Sequence, residues 1–250
     1  TSTIQVVPAD WNPEQYRRFA TERAQPFHDL LGLIEPGALH TAVDLGCGPG
    51  ELTALAATTL GVGSMVGIDN SPTMLASTAE HAHDGVRFAD GDIGAWTSDH
   101  DHDLVLASAS LQWVPDHAGV LARWTAGLGP GGQLAVQVPA NAYMPSHTTA
   151  GEAAARDEFA AAFGVDGPPV DPVAVNVLEP EEYASLLHGL GFERQHVRLQ
   201  VYPHVLPSSR DVVEWVRGTT LTRFEKRLPP ELFRRFVEQY EAALLDRIGR

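Results

Sequence analysis

Ala42-Val43-Asp44-Leu45-Gly46-Cys47-Gly48-Pro49-Gly50-Glu51-Leu52 runs from an apolar stretch through three alternate glycines into a helical pattern. It predicts a strand over 41–45, a tight turn, and a helix over 51–60. Glycine loses more conformational freedom than any other residue on folding, so three in one turn mark a backbone that passes close to something. At the carboxyl end of a parallel strand, that something is expected to be a ligand, here of nucleotide type.

The spacing narrows the ligand. The dinucleotide fingerprint G-x-G-x-x-G uses its third glycine for close helix–strand packing. Here the pattern is G-x-G-x-G, and Glu51 holds the place of that third glycine. A phosphate loop would need Gly-Lys-Ser/Thr, which the turn lacks. Working outward, a second strand over 65–68 ends in Asp69, whose carboxylate can accept from both ribose hydroxyls. A third strand over 86–89 runs into Gly91-Asp92-Ile93, an acid beside an apolar side chain. That pair suits the exocyclic amine and the face of an adenine. A fourth strand over 104–107 leads into Ser108-Ala109-Ser110-Leu111-Gln112-Trp113, where small residues leave room for a ligand and Gln112 and Trp113 can line a pocket. Trp113 reads equally well as core packing.

The remaining pattern is α/β. Helices are expected over 72–81, with Ser71 as N-cap and Pro72 in the first turn, and over 118–128; Gly129–Gly132 reads as a turn before a fifth strand over 134–138. Strands alternating with helices imply a parallel sheet with right-handed crossovers. One or two helices precede residue 36. After Pro139 come a helix over 151–163, a Gly/Pro-rich loop over 164–172, a helix over 180–190, a strand over 194–202, and helices over 211–217 and 230–248.

The 250 residues are enough for one α/β domain with insertions, and 44% of them are hydrophobic. With Lys+Arg 17 against Asp+Glu 32, the net charge is −15, a poor surface for nucleic acid or anionic lipid. Cys47 is the only cysteine, so no internal disulfide forms. No secretory signal or membrane-length apolar run is visible, which predicts a cytoplasmic protein. The run Asp99-His100-Asp101-His102-Asp103 has a metal-like composition but lies away from the proposed pocket. It is read as a solvated loop, and no metal is expected.

Together, the Val43–Gly50 turn, Gly67-Ile68-Asp69 and the end of the fourth strand resemble the class I S-adenosylmethionine-dependent methyltransferases. A closer likeness rests on Asp10-Trp11-Asn12-Pro13 with Tyr16, Phe19, Arg23 and Pro26, and on Ala109–His117. Leu134–Pro139, Pro145-Ser146-His147, Tyr202 with His204, and Glu214-Trp215-Val216 extend it. Over most of its length the chain is thereby similar to the trans-aconitate 2-methyltransferase family.

That resemblance implies a Rossmann-like sheet with helices on both faces. Its core would span about 37–139 and 180–206. Helical cap segments would come from 1–36, 140–179 and 207–250, all within one methyltransferase domain. It implies methyl transfer from S-adenosyl-L-methionine, which leaves S-adenosyl-L-homocysteine, to a carboxylate of a small polycarboxylate. Tyr16, Arg23, Asp44, Gly46, Gly48, Asp69, Asn70, Met74, Asp92, Ile93 and Ser108 would hold the cofactor. Gln112, Trp113, His117, His147, Tyr202, His204 and Arg217 would hold the acceptor. A carboxylate nucleophile is already ionised at neutral pH, so no catalytic base is implied and positioning carries the reaction. The chain would act as a monomer or weak homodimer.

Two departures stand out. The family has Asn where this chain has Ser108, and it continues past the last helix into an antiparallel strand beside 194–202. Other acceptors, including a carrier-bound acid, and a non-catalytic cofactor-binding role remain compatible with the residues.

Overall fold

The computed structural model describes residues 20–99 and 101–249, with side chains from residue 24 onward. Contacts divide them into two compact units, one of 20–139 with 176–202 and one of 140–175 with 203–249.

The first unit opens with α1 (Ala20–Leu31), followed by β1 (Thr41–Leu45), α2 (Glu51–Leu60), β2 (Ser64–Asp69) and the single turn α3 (Pro72–Leu75). β3 (Val86–Asp90), β4 (His102–Ser108), α4 (His117–Ala126) and β5 (Leu128–Gln137) complete its sheet. All pairings are parallel and the strand order is β3-β2-β1-β4-β5. The chain winds outward from β1 in one direction and resumes at β4 on the other side. This makes the carboxyl ends of β1 and β4 the topological switch point, where open α/β sheets bind ligands.

Side-chain alternation explains why both faces of the sheet are covered. Ala42 of β1 and Leu104 and Leu106 of β4 pack with Phe27, Leu30 and Leu31 of α1 and Ala56 and Ala57 of α2. Their neighbours Val43, Leu45, Val105 and Ala107 pack on the opposite face with Val120, Leu121 and Trp124 of α4. That face also receives Tyr183 and Leu186, from the helix that follows α7 (Pro172–Asn176), namely α8 (Pro180–Gly189). Central parallel strands buried on both faces read as continuous apolar runs, as Leu104–Ala107 does.

α4 also fixes the loop after β3. The Trp124 indole donates to the Ile93 carbonyl at 2.9 Å, and Arg123 donates to the Gly94 carbonyl through Nε at 3.1 Å and a terminal nitrogen at 2.6 Å. The Asp92–Ile93 pair is therefore held from below by a fully buried tryptophan.

The second unit is helical: α5 (Pro145–Ala154), α6 (Asp157–Ala160), a 3₁₀ turn at Ala161–Asp166, α9 (Arg210–Arg217), α10 (Thr222–Glu225) and α11 (Pro230–Ile248). Phe236 and Tyr240, one turn apart on α11, bury against Phe159, Phe224 and Ala153. The Phe224 and Phe236 rings lie 4.8 Å apart. Arg223 and Asp171 form an ion pair at 3.1 Å that is largely shielded from solvent.

Several expectations are corrected. The helix expected over 72–81 breaks into α3 and a 3₁₀ turn at Thr78–Glu80. Gly129–Gly132 is no turn but a bulge within β5: His102 pairs with Leu128, yet Leu104 pairs with Gln133. The helix expected over 151–163 begins at Pro145 and breaks after Ala154. The stretch 194–202 forms no strand. Its period-two pattern is present, but a strand exists only through its ladder, and Leu199 and Val201 remain 56% and 68% exposed. The acidic run before β4 is not simply loop, since β4 begins at His102. Among the described residues no helix is long and apolar enough to cross a membrane.

Replacing Trp124 by Phe removes the donor to Ile93 while keeping an aromatic ring. Chemical denaturation should show a loss of roughly 1–3 kcal/mol, the cost of leaving the partly buried Ile93 carbonyl without its donor. A midpoint equal to wild type would show that the bond contributes nothing.

Candidate cofactor site at the ends of the parallel strands

The turn after β1 is built on backbone conformations that other residues rarely adopt. Gly46, Gly48 and Gly50 have φ of 89°, 55° and 89°. A Cβ on Gly46 would lie 2.2 Å from the Ser110 Cβ, and one on Gly50 would lie 2.7 Å from the Phe88 ring. Two of the three glycines are thus required by the chain's own packing. A Cβ on Gly48 would meet nothing within 4 Å, so Gly48 is the glycine that faces open space.

β2 supplies the pins. The Gly46 and Cys47 amides both donate to the Ile68 carbonyl, at 2.7 and 3.0 Å. The Asp69 carboxylate accepts from Gly48 N–H at 2.9 Å through one oxygen and from Ser71 N–H at 2.8 Å through the other. Each carboxylate oxygen has a second lone pair. Asp69 can therefore hold the turn and still accept from a sugar hydroxyl.

Asp44 is 3% exposed and lies on the α2 side of β1. Its Oδ2 accepts from the Thr53 hydroxyl at 2.5 Å, and Thr53 is completely buried. Burial pushes the Asp44 carboxyl up to about 6; the Thr53 bond opposes this rise and the Asp69 charge adds to it. Burial and the same two carboxylates raise the Cys47 thiol, so it stays protonated and inert.

The strand ends bring the other candidates together unevenly. Asp92 is exposed and accepts from Gly94 N–H at 2.8 Å, which closes a tight turn beside half-buried Ile93. Asn70 is exposed, and Met74 is buried on α3. Ser108 donates to the Gln137 side-chain oxygen at 3.3 Å. Ala109 takes φ of 53°, unusual for a residue with a Cβ, and Ser110 donates to the Leu45 carbonyl at 2.6 Å. Tyr16 lies outside the described residues, and Arg23 falls on α1 with its side chain outside them.

The acceptor candidates fare differently. Gln112 is buried, and its Nε2 donates to the Ala109 carbonyl at 2.6 Å. Its Oε1 is buried with no hydrogen-bond partner among the described residues. Trp113 is half-buried. His117 is corrected from pocket to core. Its Nε2 faces the Leu111 carbonyl at 3.0 Å and must carry the proton, so Nδ1 accepts from Tyr183 Oη–H at 2.6 Å. Burial lowers its pKa, and both ring nitrogens are committed to the fold. Tyr202 donates to Asp29 at 2.8 Å.

His147, His204 and Arg217 belong to the second unit. The His147 ring lies 2.9 Å from the Thr220 hydroxyl, and the His204 ring lies tilted against Trp215 with centroids 5.0 Å apart. Arg217 pairs with Glu214 at 3.3 Å and borders a cavity of about 540 Å³ with Phe233, Arg234 and Glu238. In the acidic run before β4, Asp103 accepts from the His40 and Thr41 amides and His102 contacts Ser98, while His100 lies outside the described residues. Among the described residues, no three His, Cys, Asp or Glu side chains converge as metal ligands would.

Thr53 and Ser110 were not singled out from sequence. The only available signal was a hydroxyl at a position where an apolar residue would pack equally well.

The set fits an adenosyl sulfonium ligand. It combines carboxylates at three strand ends, one open glycine in the turn and, among the described residues, no basic side chain for a phosphate. A methyltransferase-domain model matches residues 42–132. The trans-aconitate 2-methyltransferase of Methylobacterium radiotolerans is 40% identical over 236 residues, 94% of this chain and 89% of that protein. The enzyme of the same name from Deinococcus radiodurans is 39% identical over 242 residues, 94% and 90% of the two chains. Two solved structures share the fold. One is from the complex between the Haloferax volcanii Trm112 methyltransferase activator and the putative methyltransferase, with a TM-score of 0.59 and 17% identity over 85% of this chain and 93% of that one. The other is Haemonchus contortus phosphoethanolamine N-methyltransferase 2 in complex with S-adenosyl-L-methionine, with a TM-score of 0.53 and 17% identity over 88% and 48%. The sheet order, the turn after β1 and the near full-length identity agree, and the chain belongs to the trans-aconitate 2-methyltransferase family of class I S-adenosylmethionine-dependent methyltransferases.

Proposed function

We propose that this protein methylates a carboxylate of trans-aconitate, using S-adenosyl-L-methionine as donor and releasing S-adenosyl-L-homocysteine. Its membership of that family over nearly its whole length carries the reading. The cofactor, when bound, supplies a methyl group already activated by the sulfonium. The chain's own residues then have to bind, align and exclude water; alignment alone can lower a barrier by about 7–11 kcal/mol. In this reading Gly48 lets the cofactor approach the turn, Asp69 takes the ribose, and Asp92 and Ile93 take the adenine. Asp44 provides negative potential beneath the cationic end.

On the acceptor side, Trp113 and Tyr202 are the first-unit candidates alongside Gln112, and Tyr202 reaches the acceptor only by giving up its bond to Asp29. Gln112 presents an oxygen, which suits a donor rather than a carboxylate. The parts assigned to Tyr16, Arg23, His147, His204 and Arg217 rest on family resemblance. The protein is read as one methyltransferase domain, working in the cytoplasm as a monomer or weak homodimer.

Incubation with methyl-labelled S-adenosylmethionine and trans-aconitate should yield a base-labile methyl ester. If the cofactor binds and no ester forms, while another acid in a metabolite panel is methylated, the acceptor is wrong. Asp69→Ala removes both turn bonds and the ribose acceptor, so calorimetry should find cofactor affinity at least about tenfold weaker, one lost hydrogen bond to a charged group being worth roughly 1.5–3 kcal/mol. Unchanged affinity would remove Asp69 from the site.

Asp44 makes an opposing prediction for stability. Its folded pKa lies above its ordinary value, so its destabilising contribution is absent at low pH. That contribution grows as pH rises toward about 6 and stays constant above. Asp44→Asn should therefore raise the melting temperature of the ligand-free protein at pH 8, leave it nearly unchanged at pH 4, and weaken cofactor binding. A fall in stability at pH 8 would show that the acid is not strained there.

A further inference from the structure

Thr53 is the third residue of α2, and its side chain is fully buried. A helical threonine ordinarily turns its hydroxyl back to its own helix. Thr58 on the same helix does this, donating to the Ala54 carbonyl at 3.0 Å. Thr53 instead reaches off the helix to the Asp44 carboxylate, 2.5 Å away. In apolar surroundings a valine of the same shape would pack there without needing a partner. The hydroxyl therefore has a use, and its acceptor shows what that use is.

The groups facing Asp44 sharpen the point. From β1 and the turn come apolar neighbours and the Cys47 thiol, which stays protonated. From the end of β2 comes Asp69, a like charge that disfavours a second ionised carboxylate. Among the described residues Thr53 is the group that favours the ionised form. A buried hydroxyl donating to a carboxylate is a charge-assisted bond, made to the anion and weakened on protonation.

We infer that Thr53 is a positioning residue for cofactor binding: its hydroxyl aims the Asp44 carboxylate, keeps it ionised, and so sets the pH below which the cationic cofactor is released. This rests on the cofactor reading above. S-adenosylmethionine carries a sulfonium and an ammonium against one carboxylate, a net cation, and binds better over an ionised Asp44. Thr53 also lies inside the helix that follows the glycine turn, so the strand, the turn and the helix are tied into one titrating unit.

The test is the pH profile of S-adenosylmethionine affinity, measured by calorimetry on the wild-type protein and on Thr53→Val and Thr53→Ser. S-adenosylhomocysteine, which lacks the sulfonium charge, is the control ligand. Wild-type affinity should fall below about pH 6, by up to about tenfold per unit. In Thr53→Val the inflection should move up by about one unit, so that the loss is about tenfold near pH 6 and vanishes at high pH. Thr53→Ser should restore the wild-type profile, and S-adenosylhomocysteine should show a flatter one. If valine prevents folding, Thr53→Ala removes the same hydroxyl.

An unshifted profile, or a loss equal at every pH, would overturn the inference and leave the cofactor reading intact. Wild-type protein that binds no S-adenosylmethionine at any pH would overturn both.

Discussion

The register of β1 between β2 and β4 is the constraint on which the rest of the site depends. Asp44 lies opposite Gly67 on one side and Leu106 on the other, so three strand ends finish together. Strand alternation then sorts the side chains: Ala42 and Asp44 face the α1 and α2 layer, and Val43 and Leu45 face α4. A slip of one residue would exchange these faces and carry Asp44 away from Thr53. With the register in place, the Ile68 carbonyl meets two turn amides, Asp69 meets Gly48, and Ser110 packs where Gly46 has no Cβ.

That arrangement stores unfavourable energy at the site. A buried acid beside a like charge costs the folded protein stability, and Ala109 holds a left-handed φ that a residue with a Cβ resists. Surrounding bonds over-determine both. Thr53 holds Asp44, while the Ala109 amide donates to the Gln137 carbonyl and Ser110 donates to the Leu45 carbonyl. A cation bound there would relieve part of the stored cost, because it would neutralise the potential that the two carboxylates create together. In the proposed function, the cost of burying Asp44 beside Asp69 and an affinity for a sulfonium would have one electrostatic origin.

How legible this was follows from the range of the interactions. β1 and α2 could be bounded to the residue, because apolar runs and glycine punctuation are local signals. The Gly46, Asp69 and Asp92 candidates could be placed because each ends a recognisable strand. The Thr53–Asp44 bond could not, since it depends on the rotation of α2 against β1. His117 was misjudged for the same reason: only the fold reveals that Leu111 and Tyr183 occupy both its nitrogens. The stretch 194–202 has the pattern of a strand, but pattern does not supply a pairing partner. The break of the helix expected over 151–163 after Ala154 reflects burial of Phe159 against Phe236, which no periodicity within that segment announces.

Charge limits how the acceptor can be recognised. With a net charge of −15, the protein's far field repels a polycarboxylate, so long-range steering cannot bring that acceptor in. Recognition must come from short-range donors, inside the distance of about 8 Å over which physiological salt screens exposed charges. Most described arginines are already committed. Arg194, Arg210, Arg217, Arg234, Arg235 and Arg247 are in surface ion pairs, Arg223 is in the shielded pair with Asp171, and Arg123 is spent on the Gly94 carbonyl. Surface pairs are weak, roughly 0–1 kcal/mol each, so an incoming carboxylate can displace the acidic partner of one at little cost. Displacing Asp171 from Arg223 would instead leave a largely shielded carboxylate without its charged partner, which is more expensive. For an anionic acceptor, exchange at an exposed arginine pair is therefore less costly than exchange at the shielded Arg223–Asp171 pair.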